Sequence, residues 1–98
     1  MNTIRVIVFK DGDAWVAQCL EYDIAAQAAD LESLRSRLLA TVDAEAQAGT
    51  EFNGEPFKGI DPAPRHFHEM WERKATTFRD NTPRPGERSY TVELALAA

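Results

Sequence analysis

The 98-residue chain is 44% apolar and 28% charged, enough for one domain with one modest core and too short for two. Eleven Lys and Arg against sixteen Asp and Glu give a formal charge of -5, which disfavours indiscriminate binding to nucleic acid. No apolar run approaches the roughly 20 residues that span a bilayer, and Met1 to Phe9 lacks the apolar region and cleavage signal of a secretory peptide, so a cytoplasmic protein without a membrane partner is expected.

Thr3 to Phe9 reads as a half-buried strand, with Ile4, Val6 and Val8 on one face and Arg5 interrupting the other. Lys10-Asp11-Gly12-Asp13 turns a hairpin, because glycine enters positive φ cheaply and aspartate bonds its local backbone. The returning strand places Trp15, Ala17 and Cys19 on one face. Cys19 stands alone in the sequence, so no internal disulfide forms, and a small buried hydrophobe is its expected role. After a connection over Leu20 to Asp23, Ile24, Ala26 and Ala28 alternate with Ala25, Gln27 and Ala29 in a third strand. Asp30 then caps a helix, with Leu31, Leu34, Leu38 and Val42 on the apolar face.

That helix is expected to fade at Gly49-Thr50. Residues 49–63 are read as a traversing loop punctuated by glycine and proline and tethered by Phe52, Phe57 and Ile60. A second helix of roughly four turns is predicted over 64–79, with Phe67, Met70, Trp71, Lys74 and Phe78 along one face. Pro83, Pro85 and Gly86 separate it from a terminal strand over 89–97. There Tyr90, Val92, Leu94 and Leu96 alternate with Thr91, Glu93, Ala95 and Ala97. The apolar faces of both helices are expected on one side of the sheet, giving a single small α+β domain. In an alternative arrangement the terminal strand joins another protomer's sheet.

Chemical motifs are few. Glu21 and Asp23 lie two apart in a connection, a spacing that does not hold a substrate between them. A hydrolase would require them to converge with His66 or His68. Those histidines, two apart on a helix, point in different directions, and neither HExxH nor a full ligand set is present. GxGxxG and GxxxxGK[ST] are absent. No metal, no cofactor and no catalytic residues are therefore expected. Arg79, Arg84 and Arg88 form the most basic neighbourhood, read as a solvated linker rather than a nucleic-acid surface. Phe67, Met70, Trp71 and Phe78, with Tyr90, Val92 and Leu94, are the candidate protein-interface residues, because aromatic helix faces and strand edges both bind other chains.

The run from Trp15 through Ile24, followed by Ala26-Gln27-Ala28-Ala29-Asp30-Leu31-Glu32-Ser33-Leu34, resembles the HicB-like antitoxin family and its solitary relatives. The similarity covers roughly the first 48 residues; Asp30 stands where the family often has a capping threonine, and Ala28 or Ala29 where it often has a glycine. The resemblance implies a fold like the double-stranded-RNA-binding domain, with a three-strand meander, a helix and later elements completing the sheet. It also implies oligomerisation, and the aromatic helix face with the alternating terminal strand favours a homodimer. The expected function is thus a non-catalytic protein-association domain with a regulatory role. The alternative is an antitoxin that inhibits a small HicA-like RNase toxin. The acidic balance and the lack of a basic-aromatic cluster argue against carrying RNA binding onto this chain.

Overall fold

The computed structural model describes residues 2–80 and 90–97. Gly12, at φ 62°, turns β1 (Asn2–Asp11) into β2 (Ala14–Cys19), and Asp11 pairs with Ala14 across the hairpin. The short β3 (Ala25–Ala28) returns antiparallel to β2. These elements, with β4 (Thr76–Asp80) and β5 (Tyr90–Leu96), form a five-stranded sheet in the order β3-β2-β1-β5-β4. The β1/β5 pair is parallel, setting Ile4 opposite Val92 and Val6 opposite Leu94. With two helices, α1 (Leu31–Asn53) and α2 (Arg65–Glu72), the described residues make a small mixed α+β domain. None of their helices is long and apolar enough to cross a membrane.

The alternation of β1 explains the layering. Ile4, Val6 and Val8 join Ala17, Cys19, Val92 and Leu94 in a cluster closed by Leu34, Leu38 and Val42 of α1. Ile7 instead joins Leu20, Ala95 and Trp71 of α2, with Phe9, Phe67 and Met70 packed alongside. Successive strand residues point to opposite faces, so the two helices cover opposite faces of the sheet. The expectation that both would lie on one side is corrected here. A strand with Val and Ile on one face and Ile and Phe on the other is buried on both, as strands that take part in parallel pairing commonly are.

Asp30 caps α1 as its sequence predicts, its carboxylate accepting the Ser33 amide at 2.8 Å and the Ser33 hydroxyl at 3.1 Å. The helix does not fade at Gly49-Thr50, however. It continues to Asn53 and ends at Gly54 in the left-handed conformation, whose amide donates to the Thr50 carbonyl. Gly49 is retained inside the helix for closeness rather than flexibility: a Cβ there would lie 2.7 Å from the Phe57 nitrogen and 2.8 Å from the Glu55 oxygen. The following loop therefore folds back onto the helix surface. It carries buried Phe57, at φ 63°, into a stack on Tyr22 at 4.4 Å and an edge contact with Tyr90 at 5.4 Å. Tyr90 also donates its hydroxyl to the Asp43 carboxylate of α1.

Two backbone bonds, Asp23 amide to Asp61 carbonyl at 2.7 Å and Ala63 amide to Leu20 carbonyl at 3.0 Å, hold the loop as it passes to the other face. There α2 is shorter than the predicted helix over 64–79. Thr76 and Thr77 carry branched side chains that favour a pleated strand over a helix, and the chain turns at Arg73–Ala75 into β4, antiparallel to β5. Phe78 consequently belongs to an edge strand opposite Leu94 in the ladder, not to the face of Phe67, Met70 and Trp71. Pro83, Pro85, Gly86, Arg84, Arg88 and position 89 of the expected terminal strand lie outside the described residues.

Candidate association surface

The residues singled out for chemistry are held by separate partners. Glu21 accepts the Arg5 amide through Oε1 at 2.7 Å and the Arg5 Nε through Oε2 at 2.5 Å. Asp23 Oδ1 instead accepts the amide nitrogen of Gln18 at 2.9 Å. Gln18 is 5% exposed, and its nitrogen also donates to the Cys19 carbonyl at 3.1 Å, so Asp23 serves a buried polar group that would otherwise be costly. His68 Nε2 lies 3.2 Å from the Ala63 carbonyl oxygen, and exposed His66 rests on the Phe67 ring at 3.9 Å. Among the described residues no three His, Cys, Asp or Glu side chains are grouped to hold a metal. Burial pushes the Cys19 thiol up to about 12, with Glu21 adding to the effect, so at neutral pH the free side chain is a protonated thiol and a weak nucleophile.

The candidate interface residues divide by burial. Tyr90, Val92 and Leu94 face α1 inside the protein's own core, because β5 sits between β1 and β4 in the sheet. Trp71 is 6% exposed, lying against Ile7, Leu20 and Ala95. Its ring carries two cations, the Arg5 guanidinium at 5.7 Å and the Lys74 ammonium at 4.7 Å, a favourable arrangement for an indole face. Phe67 and Met70 are only partly buried. The side chain of Phe78 lies outside the described set.

Apolar surface concentrates where β1 and β5 end. A groove of about 380 Å³ opens between the first turns of α1 and the sheet, walled by Val8, Ala17, Leu34, Leu38, Leu94 and Leu96. Leu31 stands at its mouth, 44% exposed, with Glu32 and Arg35 on the rim. The sequence places Leu31 correctly on the apolar face of α1, but that face overruns the packed part of the sheet by one turn. Around the same end of the sheet a second, shallower depression of about 460 Å³ is lined by Phe9, Lys10, Trp15, Met70 and Ala97, sharing Val8 and Leu96 with the first. Periodicity alone did not single out this groove. Its signal is the surplus of the leucine stripe in α1 over the strand residues available to cover it.

Compared with models of known protein families, with curated proteins and with solved structures, the chain matches none of them.

Proposed function

We propose that this chain is a solitary HicB-like domain that acts by protein association rather than catalysis, working as a homodimer in a regulatory role. The observation that carries the reading is the apolar groove at the start of α1, with Leu31 held out at its mouth beside Leu94 and Leu96. Concave apolar surface next to an exposed leucine is the kind of patch that marks association sites on small domains. Supporting the family part of the reading, the run from Trp15 to Leu34 forms a strand, a short strand and an acid-capped helix in succession, and later elements complete the sheet.

Light scattering on a size-exclusion column across a concentration series tests it. The expected species is a dimer of the 11.0 kDa chain, and Leu31→Ser is expected to weaken the dimer while leaving the thermal midpoint nearly unchanged, since the side chain is at the surface. A strict monomer up to high micromolar concentration overturns the association reading. A purified small RNase that binds the monomer stoichiometrically and is inhibited by it would replace the homodimer with the antitoxin reading.

A further inference from the structure

We propose that residues 54–59 are a hinged strap and that Phe57, its latch, fills a site that takes the ring of a small aromatic ligand. The site lies at the far end of α1 from the apolar groove, so the inference stands apart from the association reading. Of residues 54–59 only Phe57 is buried. Tyr22 holds its ring face to face at 4.4 Å with 21° between the planes, and Tyr90 meets it edge-on at 5.4 Å and 71°. Stacking and edge-to-face contact are the arrangements that aromatic rings prefer, so the slot suits an aromatic ring and not merely apolar volume. Its walls belong to the body of the domain. Tyr22 sits in the β2/β3 connection, and Tyr90 opens β5 with its hydroxyl fixed by Asp43 of α1.

The ring that fills the slot is delivered under strain. Phe57 takes φ 63°, a region that bulky side chains rarely enter and that persists only where the surrounding structure imposes it. On either side Gly54 at φ 85° and Gly59 at φ 87° are left-handed, and a Cβ at either would meet nothing within 4 Å. Glycine at these two positions therefore serves backbone rotation, which it allows at little steric cost, and not close packing as at Gly49. Both ends of the strap are tied. The Gly54 amide donates to the Thr50 carbonyl at 3.2 Å, and beyond Gly59 the Asp23 amide bonds the Asp61 carbonyl at 2.7 Å and the Ala63 amide the Leu20 carbonyl at 3.0 Å. Among the described backbone bonds, one lies between those ties, from the Ile60 amide to the Phe57 carbonyl at 3.1 Å. Rotation at Gly59 breaks that bond and lifts the ring while the ties hold. The closed strap and the ligand thus compete for one slot, and the strain at Phe57 lowers the cost of opening.

Amide hydrogen exchange followed by NMR, with phenol as the probe, tests both the hinge and the site. In the protein alone the Ile60 amide is expected to exchange about a hundredfold faster than the Ala63 and Leu38 amides, because the strap opens while its ties and α1 stay closed. A ligand that takes the slot captures the open strap, so phenol is expected to speed Ile60 exchange in proportion to its concentration, with no such effect on Ala63. Cyclohexanol, similar in size but unable to stack, is expected to leave Ile60 unchanged. Phe57→Ala empties the slot, and phenol is expected to raise its thermal midpoint more than that of the unsubstituted protein. Ile60 and Ala63 amides that exchange at one rate overturn the hinge. An Ile60 amide that ignores phenol, or answers cyclohexanol equally, overturns the aromatic site, whether or not Phe57→Ala folds.

Discussion

Arg5 and Glu21 are joined twice, the Arg5 amide donating to Oε1 at 2.7 Å and its Nε to Oε2 at 2.5 Å. One carboxylate thus holds both backbone and side chain of the central strand. It also aligns the guanidinium that lies over the Trp71 ring at 5.7 Å, so a residue of the β2/β3 connection braces the seat of α2. Glu21→Ala is expected to destabilise the domain by about 1 to 3 kcal/mol, because it removes two bonds to an ionised acceptor. Both side chains are partly exposed, at 38% and 29%, so the ion-pair share alone should be small. A double-mutant cycle with Arg5→Ala in urea should give a coupling of roughly 0.5 to 1 kcal/mol. Zero coupling would show that the Arg5 amide bond carries the whole effect.

Gly49 sets two principles against each other. Alanine is the better helix former by about 1 kcal/mol, yet its methyl would stand 2.7 Å and 2.8 Å from backbone atoms of Phe57 and Glu55. Those atoms cannot rotate away as a side-chain tip can, so the loop and the Phe57 ring stack must move. Gly49→Ala is therefore expected to be destabilising, by about 1 to 2 kcal/mol net. Equilibrium unfolding reads the sign directly; a more stable variant would mean that the loop yields without loss.

Asp30 makes acid stability predictable in direction. The Ser33 amide, and after it the Ser33 hydroxyl, hold its carboxyl below the ordinary carboxylate range. A folded-state value below the unfolded one contributes stability that is fully present above the unfolded pKa and lost as pH falls through the folded one. Stability curves of the protein and of Asp30→Ala should therefore run parallel at neutral pH and approach each other in acid. Curves that stay parallel to the acid limit would show that the cap does not depend on ionised Asp30.

The hairpin at Gly12, the cap at Asp30 and the stripe Leu34, Leu38 and Val42 were legible in the sequence because each is local: a turn, a bond three residues away, a spacing of four. Residues 64–79 were not, since Phe67, Met70, Trp71, Lys74 and Phe78 fit a helical spacing whether or not the helix persists. Pairing with β5, whose partner residues lie 12 to 20 positions later, settles Thr76 to Asp80 as strand, and no short window around them contains that information. The helix extension to Asn53 was hidden for the opposite reason. Gly49 looks like a terminator until the loop packed against it is seen. For the candidate surface, the residue types were visible but their burial was not: Tyr90, Val92 and Leu94 follow an edge-strand pattern and lie inside the sheet.

Parallel pairing of β1 with β5 brings Thr3 and Thr91 together, 88 positions apart, and so favours one order of events as the chain folds. The β1/β2 hairpin, β3 and α1 gather through contacts near in sequence and can assemble early. One flank of β1 must then wait for a loop closure spanning nearly the whole described chain, which is entropically slow. During that interval the Ile4, Val6 and Val8 row stands next to a bare ladder of backbone donors and acceptors. Such a half-built sheet is prone to capture by other chains, so the traffic of nascent chains bears most heavily on the moment before β5 docks.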